Sequence, residues 1–153
     1  MFNLDNDKLN ELMEIAITET KLAIKEGNSP FSALLVDKEG NIIVKTHNTA
    51  KTDKNPTHHA EINLINKACE ILKTNDLSSY ILISNAWSCS MCMSASIKAK
   101  IKNYVFGAPS EDDMNPNITI FDILAKTKDE LNIKTGILEE ECLKQIKEAR
   151  KNF

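Results

Sequence analysis

The apolar positions near the start of the chain repeat at helical spacing. They follow the i, i+3, i+4, i+7 pattern of a helix that buries one face, and they are Leu9, Leu12, Met13, Ala16, Ile17, Ala23 and Ile24. Asp5 or Asn6 can cap the start of this helix, and Gly27 followed by Pro30 ends it. The pattern therefore predicts an amphipathic helix as the first element of the fold.

Beyond that helix, β-type runs alternate with helical stripes. The predicted strands are residues 32–36, 41–45, 80–84, 104–106 and 133–136. The further predicted helices are residues 57–73, with Thr57 as the N-cap, residues 89–100, residues 118–126 and a last helix from residue 138. The first two strands are joined by Asp-Lys-Glu-Gly, a turn that makes them a hairpin. Alternation of strands and helices predicts a three-layer α/β fold, with helices on both faces of a mixed sheet of about five strands.

Composition and charge are those of an ordinary globular protein. Of the 153 residues, 42% are hydrophobic and 27% are charged, so we expect a single domain over residues 1–153. The net charge of -3 gives no general attraction to nucleic acid or to anionic lipid. The first residues show no basic segment before an apolar run, and no stretch of about 18 apolar residues predicts a membrane span. We therefore expect a cytoplasmic protein without a membrane partner.

The cysteines are typical of reduced thiols or metal ligands rather than of a disulfide framework. Cys89 and Cys92 form a Cys-x-x-Cys pair at the start of a predicted helix, and His59 lies near the start of an earlier one. Catalytic zinc takes three nitrogen or sulfur ligands from the protein and leaves a fourth position for water. Helix N-termini favour thiolates, and residues three apart share a helix face. His59, Cys89 and Cys92 are therefore the candidate Zn²⁺ ligands, whereas Cys69 and Cys142 are predicted to be small core residues.

Glu61 is the candidate catalytic residue. It lies two residues after His59, a spacing that disfavours ligation of one ion by both side chains. The same spacing can place the carboxylate beside the water position of the metal, where it can transfer protons as a general base and acid. A metal there lowers the pKa of water towards about 7. The constellation therefore predicts a hydrolytic reaction at neutral pH.

Two motifs carry a resemblance to a known family. Residues 55–62 are Asn-Pro-Thr-His-His-Ala-Glu-Ile and residues 88–92 are Ser-Cys-Ser-Met-Cys, which resemble the H-x-E and P-C-x-x-C motifs of zinc deaminases. The chain is similar, between Pro30 and Ala108, to the cytidine-deaminase-like superfamily and within it to the nucleobase and tRNA-adenosine branch. This resemblance implies a five-stranded sheet between helices, a Zn²⁺ cofactor and hydrolytic removal of an exocyclic amine with release of ammonia. It also implies a homodimer.

The resemblance further suggests which residues contact the substrate. Asn48 falls where family members have a substrate-binding Asn, and Ala60 lies inside the His-x-Glu motif. Phe31 belongs to a segment that resembles the Pro-Phe-Gly-Ala sequence with which a strand begins in the family. Its ring either packs in the core or stacks on the substrate base. Trp87 can close the pocket on a base or simply pack. Asp112 either binds substrate or belongs to a solvated charged loop.

Three substrates stay open from the sequence: a free purine or nucleoside, as in guanine deaminases, adenosine at the wobble position of tRNA, and a pyrimidine base such as cytosine. The resemblance favours guanine, because Asp112 falls where guanine deaminases have an Asp. Residues 150–153 also resemble the basic tail that in those enzymes closes a neighbouring subunit's site. A tRNA partner is less favoured, because residues 109–117 differ from the Lys-Thr-Gly-Ala-Ala-Gly-Ser type loop of tRNA deaminases and the net charge is negative.

The chain departs from the family pattern around its first metal-binding cysteine. Trp87 and Ser88 stand where family members usually have Glu-Pro, and Ser90 stands where they have Pro. These changes alter the turn that presents Cys89. They keep open an alternative function of another class, that of a catalytically inactive zinc-binding interaction domain. The presence of Glu61 argues against this alternative.

Overall fold

The computed structural model describes residues 2–109 and 117–151. The strands are β1 (Ser32–Val36), β2 (Ile42–His47), β3 (Ile81–Ala86), β4 (Asn103–Ala108) and β5 (Asn132–Lys134). The helices are α1 (Asn6–Lys25), α2 (Ala60–Leu72), α3 (Ser90–Lys98), α4 (Ile120–Lys126) and α5 (Glu139–Arg150). The strands form one sheet in the order β2-β1-β3-β4-β5. β1 pairs antiparallel with β2 and β3, whereas β3–β4 and β4–β5 are parallel, so the sheet is mixed as predicted.

Helices cover both faces of the sheet and produce two apolar cores. The core beneath α1 and α5 includes Leu9, Leu12, Met13, Leu34, Ile83, Val105, Cys142 and Ile146. The core beneath α2, α3 and α4 includes Leu35, Leu64, Leu82, Met93, Tyr104, Phe106 and Ile120. Because the central strands are covered on both sides, every residue of β1, β3 and β4 is buried. The predicted three-layer α/β fold is thereby confirmed.

The first helix begins as its sequence predicts, whereas the second does not. The side chain of Asp5 accepts a hydrogen bond from the backbone N–H of Lys8 at 2.8 Å and caps α1. The prediction that Thr57 caps α2 is wrong. The side chain of Asn55 accepts bonds from the N–H and the hydroxyl of Thr57, so these residues form a turn and α2 begins at Ala60.

The strands that lead to the site are longer than predicted and lie close to a helix. β3 and β4 continue to Ala86 and Ala108, and the N–H of Trp87 bonds the carbonyl of Ala108 at 2.9 Å. Gly107 allows this close packing, because a Cβ there would lie 2.6 Å from the carbonyl oxygen of Asn85 and 2.7 Å from Sγ of Cys142.

In the described part of the chain, no helix combines the length and apolar character needed to cross a membrane.

Candidate active site

Three side chains converge at the N-termini of α2 and α3. Nδ1 of His59 lies 3.6 Å from Sγ of Cys89 and 3.5 Å from Sγ of Cys92, and the three ligand atoms all lie within 4.8 Å of one another. Zinc bonds of about 2.05 Å to nitrogen and about 2.3 Å to sulfur, at a tetrahedral angle, separate the two ligand atoms by about 3.6 Å. The distances from the His59 nitrogen to the two sulfurs therefore fit a shared Zn²⁺ ion.

Backbone conformation explains how these residues meet. His59 and Cys89 are the N-cap residues of α2 and α3, each in extended conformation, with ψ of 159° and 171°. The sulfur of Cys89 accepts a bond from the backbone N–H of Cys92 at 3.5 Å. The hydrogen bond from the Cys92 thiol is the largest factor that lowers the pKa of Cys89, to about 4, despite partial burial. The same hydrogen bond, together with burial, raises the pKa of the Cys92 thiol, so the two sulfurs share one proton, and a metal that binds both as thiolates must displace it.

Glu61 lies in the first turn of α2 and points into the same region. Only 6% of its surface is exposed. Burial raises the pKa of this carboxyl, and the negative charge of Cys89 raises it further. A backbone hydrogen bond to the carboxyl and then the charge of His59 partly oppose that rise. A carboxyl that is buried beside the metal ligands, and is not itself one of them, has the position of a proton carrier.

A cavity of about 240 Å³ opens over these groups. Its walls are formed by Ser29, Phe31, Asn48, His59, Glu61, Ser84, Ala86, Trp87, Cys89 and Arg150. Of the predicted substrate-binding residues, Phe31, Asn48 and Trp87 line the cavity. Ala60 is buried and is not part of this wall, and its carbonyl accepts a bond from the hydroxyl of Thr46 at 2.7 Å. Asp112 lies outside the described residues.

The loop between β2 and α2 fixes Asn48. The backbone N–H of Asn48 bonds the carbonyl of Phe31 at 3.0 Å, and its side-chain oxygen accepts the N–H of Ala50 at 3.0 Å. Asn63 of α2 ties the loop further, because its side chain donates to the hydroxyl of Thr49 and to the carbonyl of His47. With its oxygen engaged, the Asn48 amide retains its NH₂ group as a donor for a ligand in the cavity.

The two other histidines have structural roles in this region. His58 pairs with Asp53 at 2.8 Å and contacts the side chain of Asn55 at 3.0 Å, which orders the loop before His59. His47 lies between two carboxylates. Its Nδ1 lies 2.8 Å from the carboxylate of Glu19 in α1, and its Nε2 lies 2.9 Å from that of Glu26, the C-cap residue of the same helix. Neither histidine belongs to the metal-binding group, so the H-x-E spacing correctly distinguishes His59.

Four residues of the cavity wall were not predicted as substrate-binding residues. Ser84 and Ala86 lie at the end of β3, and a strand pattern alone does not distinguish such positions from other core residues. Ser29 lies in the turn before β1. Arg150, the last residue of α5, places its guanidinium over the Phe31 ring, 5.5 Å from the ring centroid. The sequence feature that could have pointed to Arg150 is the basic end of the chain, which resembles the tail that reaches the active site in guanine deaminases.

Known proteins share both the motif region and the fold. The family model described as the cytidine and deoxycytidylate deaminase zinc-binding region matches residues 6–108. The tRNA-specific adenosine deaminase of Bacillus subtilis (strain 168) is 32% identical over 154 residues, which cover 92% of this chain and 94% of that protein. The guanine deaminase of the same organism is 37% identical over 83 residues, 54% of this chain and 53% of that protein.

A solved structure of guanine deaminase from Nitrosomonas europaea shares the fold. It has a TM-score of 0.78 at 22% identity and covers 91% of this chain and 82% of that chain. The family match spans more than half of the present chain, and the metal-binding group lies inside it. The chain therefore belongs to the cytidine-deaminase-like family and is a zinc-binding hydrolase of carbon–nitrogen bonds, in the branch that deaminates nucleobases and nucleosides.

Proposed function

We propose that this enzyme deaminates an aminopurine and that its substrate is guanine, which reacts with water to give xanthine and ammonia. The observation that carries the proposal is the position of one buried carboxyl, Glu61, beside a three-ligand metal group in a cavity with aromatic walls. The ligands are His59, Cys89 and Cys92, as the sequence predicts. Their number leaves a fourth position for water, which a hydrolytic reaction requires.

Residues of this chain supply the proton transfers and hold the base. When bound, Zn²⁺ supplies a Lewis acid that lowers the pKa of a coordinated water to about 7. Glu61 accepts a proton as the oxygen of water bonds to C2 of guanine, and it passes that proton to ring N3. It then transfers the second proton of the water to the exocyclic amine, the bond from C2 to this amine breaks, and xanthine and ammonia are left. Asn48 orients the ring through its NH₂ group, while Phe31 and Trp87 supply apolar surface against the base.

The size and charge of the site favour a free base. The cavity of about 240 Å³ is smaller than the roughly 300–1,000 Å³ of most ligand pockets, which suits one ring system better than a ring system with its sugar and phosphate. The net charge of -3 adds no broad attraction to a nucleic-acid backbone. By resemblance, Asp112 and the basic end of the chain also favour guanine.

Adenosine in tRNA is the second candidate. The relative from Bacillus subtilis that covers 92% of this chain is a tRNA-specific adenosine deaminase. Phe121 of α4 supports the same candidate, because its side chain is 60% exposed and contacts the Trp87 ring edge-to-face at 5.4 Å between centroids. An exposed aromatic ring beside the cavity could stack on a base that flanks the target in single-stranded RNA.

The test is ammonia release by the zinc-loaded enzyme from guanine, cytosine, adenosine and an RNA stem-loop with adenosine at the wobble position. We expect release from guanine, and Glu61→Gln should lower it by about 100-fold or more with zinc content unchanged. Glu70→Gln, an exposed change on the same helix, is the matched control and should keep full activity. Ammonia release from the stem-loop alone would show that the substrate is adenosine in tRNA and not guanine. Equal turnover by Glu61→Gln would overturn the mechanism for either substrate.

The domain and its assembly are part of the same proposal. We propose that residues 1–153 form a single deaminase domain and that the enzyme is a homodimer, as the resemblance implies. Sedimentation of the zinc-loaded protein measures the second point directly. A monomer at micromolar concentration would contradict it.

A further inference from the structure

We propose that Asn85 is a positioning residue for the deamination, which holds the Phe31 ring in the cavity wall where that ring contacts the substrate base. This inference rests on the proposed function and adds to it a residue that acts through another. Asn85 lies near the end of β3 and is fully buried. It is absent from the described residues that line the cavity, so it acts from behind the wall rather than by contact with the base.

The side chain of Asn85 bonds the backbone on both sides of Phe31. Its Oδ1 accepts a hydrogen bond from the N–H of Ser32 at 2.9 Å, and its Nδ2 donates to the carbonyl of Pro30 at 3.0 Å. Both bonds are buried, so solvent does not compete for them. One amide group therefore fixes the residues directly before and after the aromatic ring.

The end of the strand pairing explains why a side chain makes these bonds. The antiparallel pairing of β1 with β3 ends at Ala33 and Ser84. Beyond it the chain turns, because the N–H of Phe31 bonds the carbonyl of Ser29 at 2.8 Å. A turned segment does not continue the regular backbone ladder. The Asn85 amide carries both a donor and an acceptor, so it replaces the ladder at this point.

The residue before Phe31 depends most on Asn85. Ser32 is held in two further ways, by pairing with β2 and by the hydroxyl of Ser84, which donates to its carbonyl at 2.9 Å. Pro30 has no N–H, so its carbonyl is the one backbone group through which a hydrogen bond can hold it. Loss of the Asn85 amide would therefore release the turn on the Pro30 side and change the direction of the Phe31 ring.

The backbone bonds of Phe31 itself lead to loops. Its N–H bonds Ser29, and its carbonyl accepts the N–H of Asn48 at 3.0 Å. Asn85, by contrast, belongs to a central strand that is paired with β1 on one side and with β4 on the other. The rigid support of the ring therefore comes from β3 through the Asn85 side chain.

Binding of the base should be more sensitive to Asn85 than proton transfer is. Glu61 lies in the first turn of α2, a separate element that is held to β2 by its own bond, from the hydroxyl of Thr46 to the carbonyl of Ala60 at 2.7 Å. Contact between an aromatic side chain and one base changes affinity by about 5- to 150-fold. Loss of a contact that is present in both the ground state and the transition state raises KM and leaves kcat unchanged.

The experiment measures KM and kcat for ammonia release from guanine by the zinc-loaded enzyme. Asn85→Leu removes both hydrogen bonds and keeps a side chain that branches at the same carbon. We expect KM to rise about 10-fold and kcat to change by less than about 3-fold. Asn85→Ala, which adds no bulk to the core, should give the same result.

Asn103→Leu is the matched control. Asn103 is a buried residue at the start of β4, where its side chain accepts a bond from that of Asn132 at 3.0 Å. It pairs with Ile81 at the start of β3, the end of the sheet opposite to the site. Its replacement should lower Tm, as Asn85→Leu does, but should keep the KM of the wild type.

Phe31→Ala tests whether Asn85 acts through the ring. This variant should raise KM at least as much as Asn85→Leu does. The variant with both changes should have a KM within about 3-fold of that of Phe31→Ala, because the second change has no ring left to misplace. Independent increases that multiply would overturn the inference.

The remaining outcomes separate the inference from the proposed function. Wild-type KM in both Asn85 variants, or an equal rise in Asn103→Leu, would overturn the inference and leave the proposed function intact. Absence of ammonia release from guanine by the wild-type enzyme would overturn the proposed substrate, and the same comparison of KM on the base that does release ammonia would then test Asn85. Absence of release from guanine, cytosine, adenosine and the RNA stem-loop alike would overturn both.

Discussion

Replacement of Gly107 by alanine should destabilise the protein where the sheet meets the last helix. A Cβ at this position would lie 2.6 Å from the carbonyl oxygen of Asn85 and 2.7 Å from Sγ of Cys142, whereas ordinary contacts begin at 3.4 Å. The neighbouring atoms must therefore move by about 0.8 Å at the oxygen and about 0.7 Å at the sulfur. The oxygen belongs to the backbone of β3, which is held by strands on both sides, so it cannot rotate away.

The expected loss follows from the cost of overpacking a core. Such substitutions cost about 1–3 kcal/mol, and two contacts with rigid neighbours place this one near about 3 kcal/mol. For a protein of this size each kcal/mol lowers Tm by roughly 2–4 °C, so Gly107→Ala should lower Tm by about 6–12 °C. Thermal unfolding followed by circular dichroism measures the shift, and urea denaturation of the same zinc-loaded samples measures the free energy of unfolding.

Gly27→Ala is the control that separates crowding from backbone strain. Gly27 has a φ of 85°, and a Cβ added there would have no other atom within 4 Å, so alanine meets only the cost of a left-handed conformation, about 1–2 kcal/mol. We expect Gly107→Ala to be the less stable variant. A Gly107→Ala protein whose unfolding free energy lies within about 0.5 kcal/mol of wild type would refute the argument from steric contact.

Two further predictions concern buried polar groups. Tyr104→Phe removes a buried hydroxyl that lies 3.0 Å from the carbonyl oxygen of Ile101. Because this buried acceptor then loses its donor, the free energy of unfolding should fall by about 1–3 kcal/mol. An unchanged urea midpoint would contradict this. For His47, burial lowers the pKa of the imidazole, but hydrogen bonds to Glu19 and Glu26 outweigh this and raise the pKa above 6.5. The raised folded-state pKa stabilises the protein fully below pH 6.5, and this contribution is lost as the pH rises through the folded-state pKa. The stability difference between wild type and His47→Gln should therefore shrink as the pH rises above about 6.5, and a difference that grows with pH would refute the argument.

The fold and the metal-binding group were predictable because local sequence determines them. Strand and helix periods specify the elements, and His-x-Glu with Cys-x-x-Cys specifies ligands that each lie near the start of a helix. The error at Thr57 has an equally local cause. Asn55 competes for the Thr57 donors, so the helix begins three residues later and His59 occupies the extended N-cap position.

The wall of the cavity was less predictable because distant segments build it. Ser84 lies at the end of a strand, and its position in the site depends on pairing with β1 and β4. Arg150 follows Phe31 by more than a hundred residues, yet the two side chains are in contact. No local pattern encodes a contact of this range. It depends on how α5 crosses the sheet, where Cys142 of α5 packs against Gly107 of β4.

The altered turn before Cys89 shows how different residues can present the same metal ligand. Family members usually have proline here, which restricts the backbone by itself. In this chain the backbone N–H of Trp87 bonds the carbonyl of Ala108, so pairing between the parallel strands extends to the residue before the turn. The Trp87 ring packs against Phe121, and Ser88 is buried, with only 3% of its surface exposed. Tertiary contacts thus hold Cys89 in the extended conformation in which its sulfur reaches His59, and the loss of proline does not by itself indicate loss of the metal site.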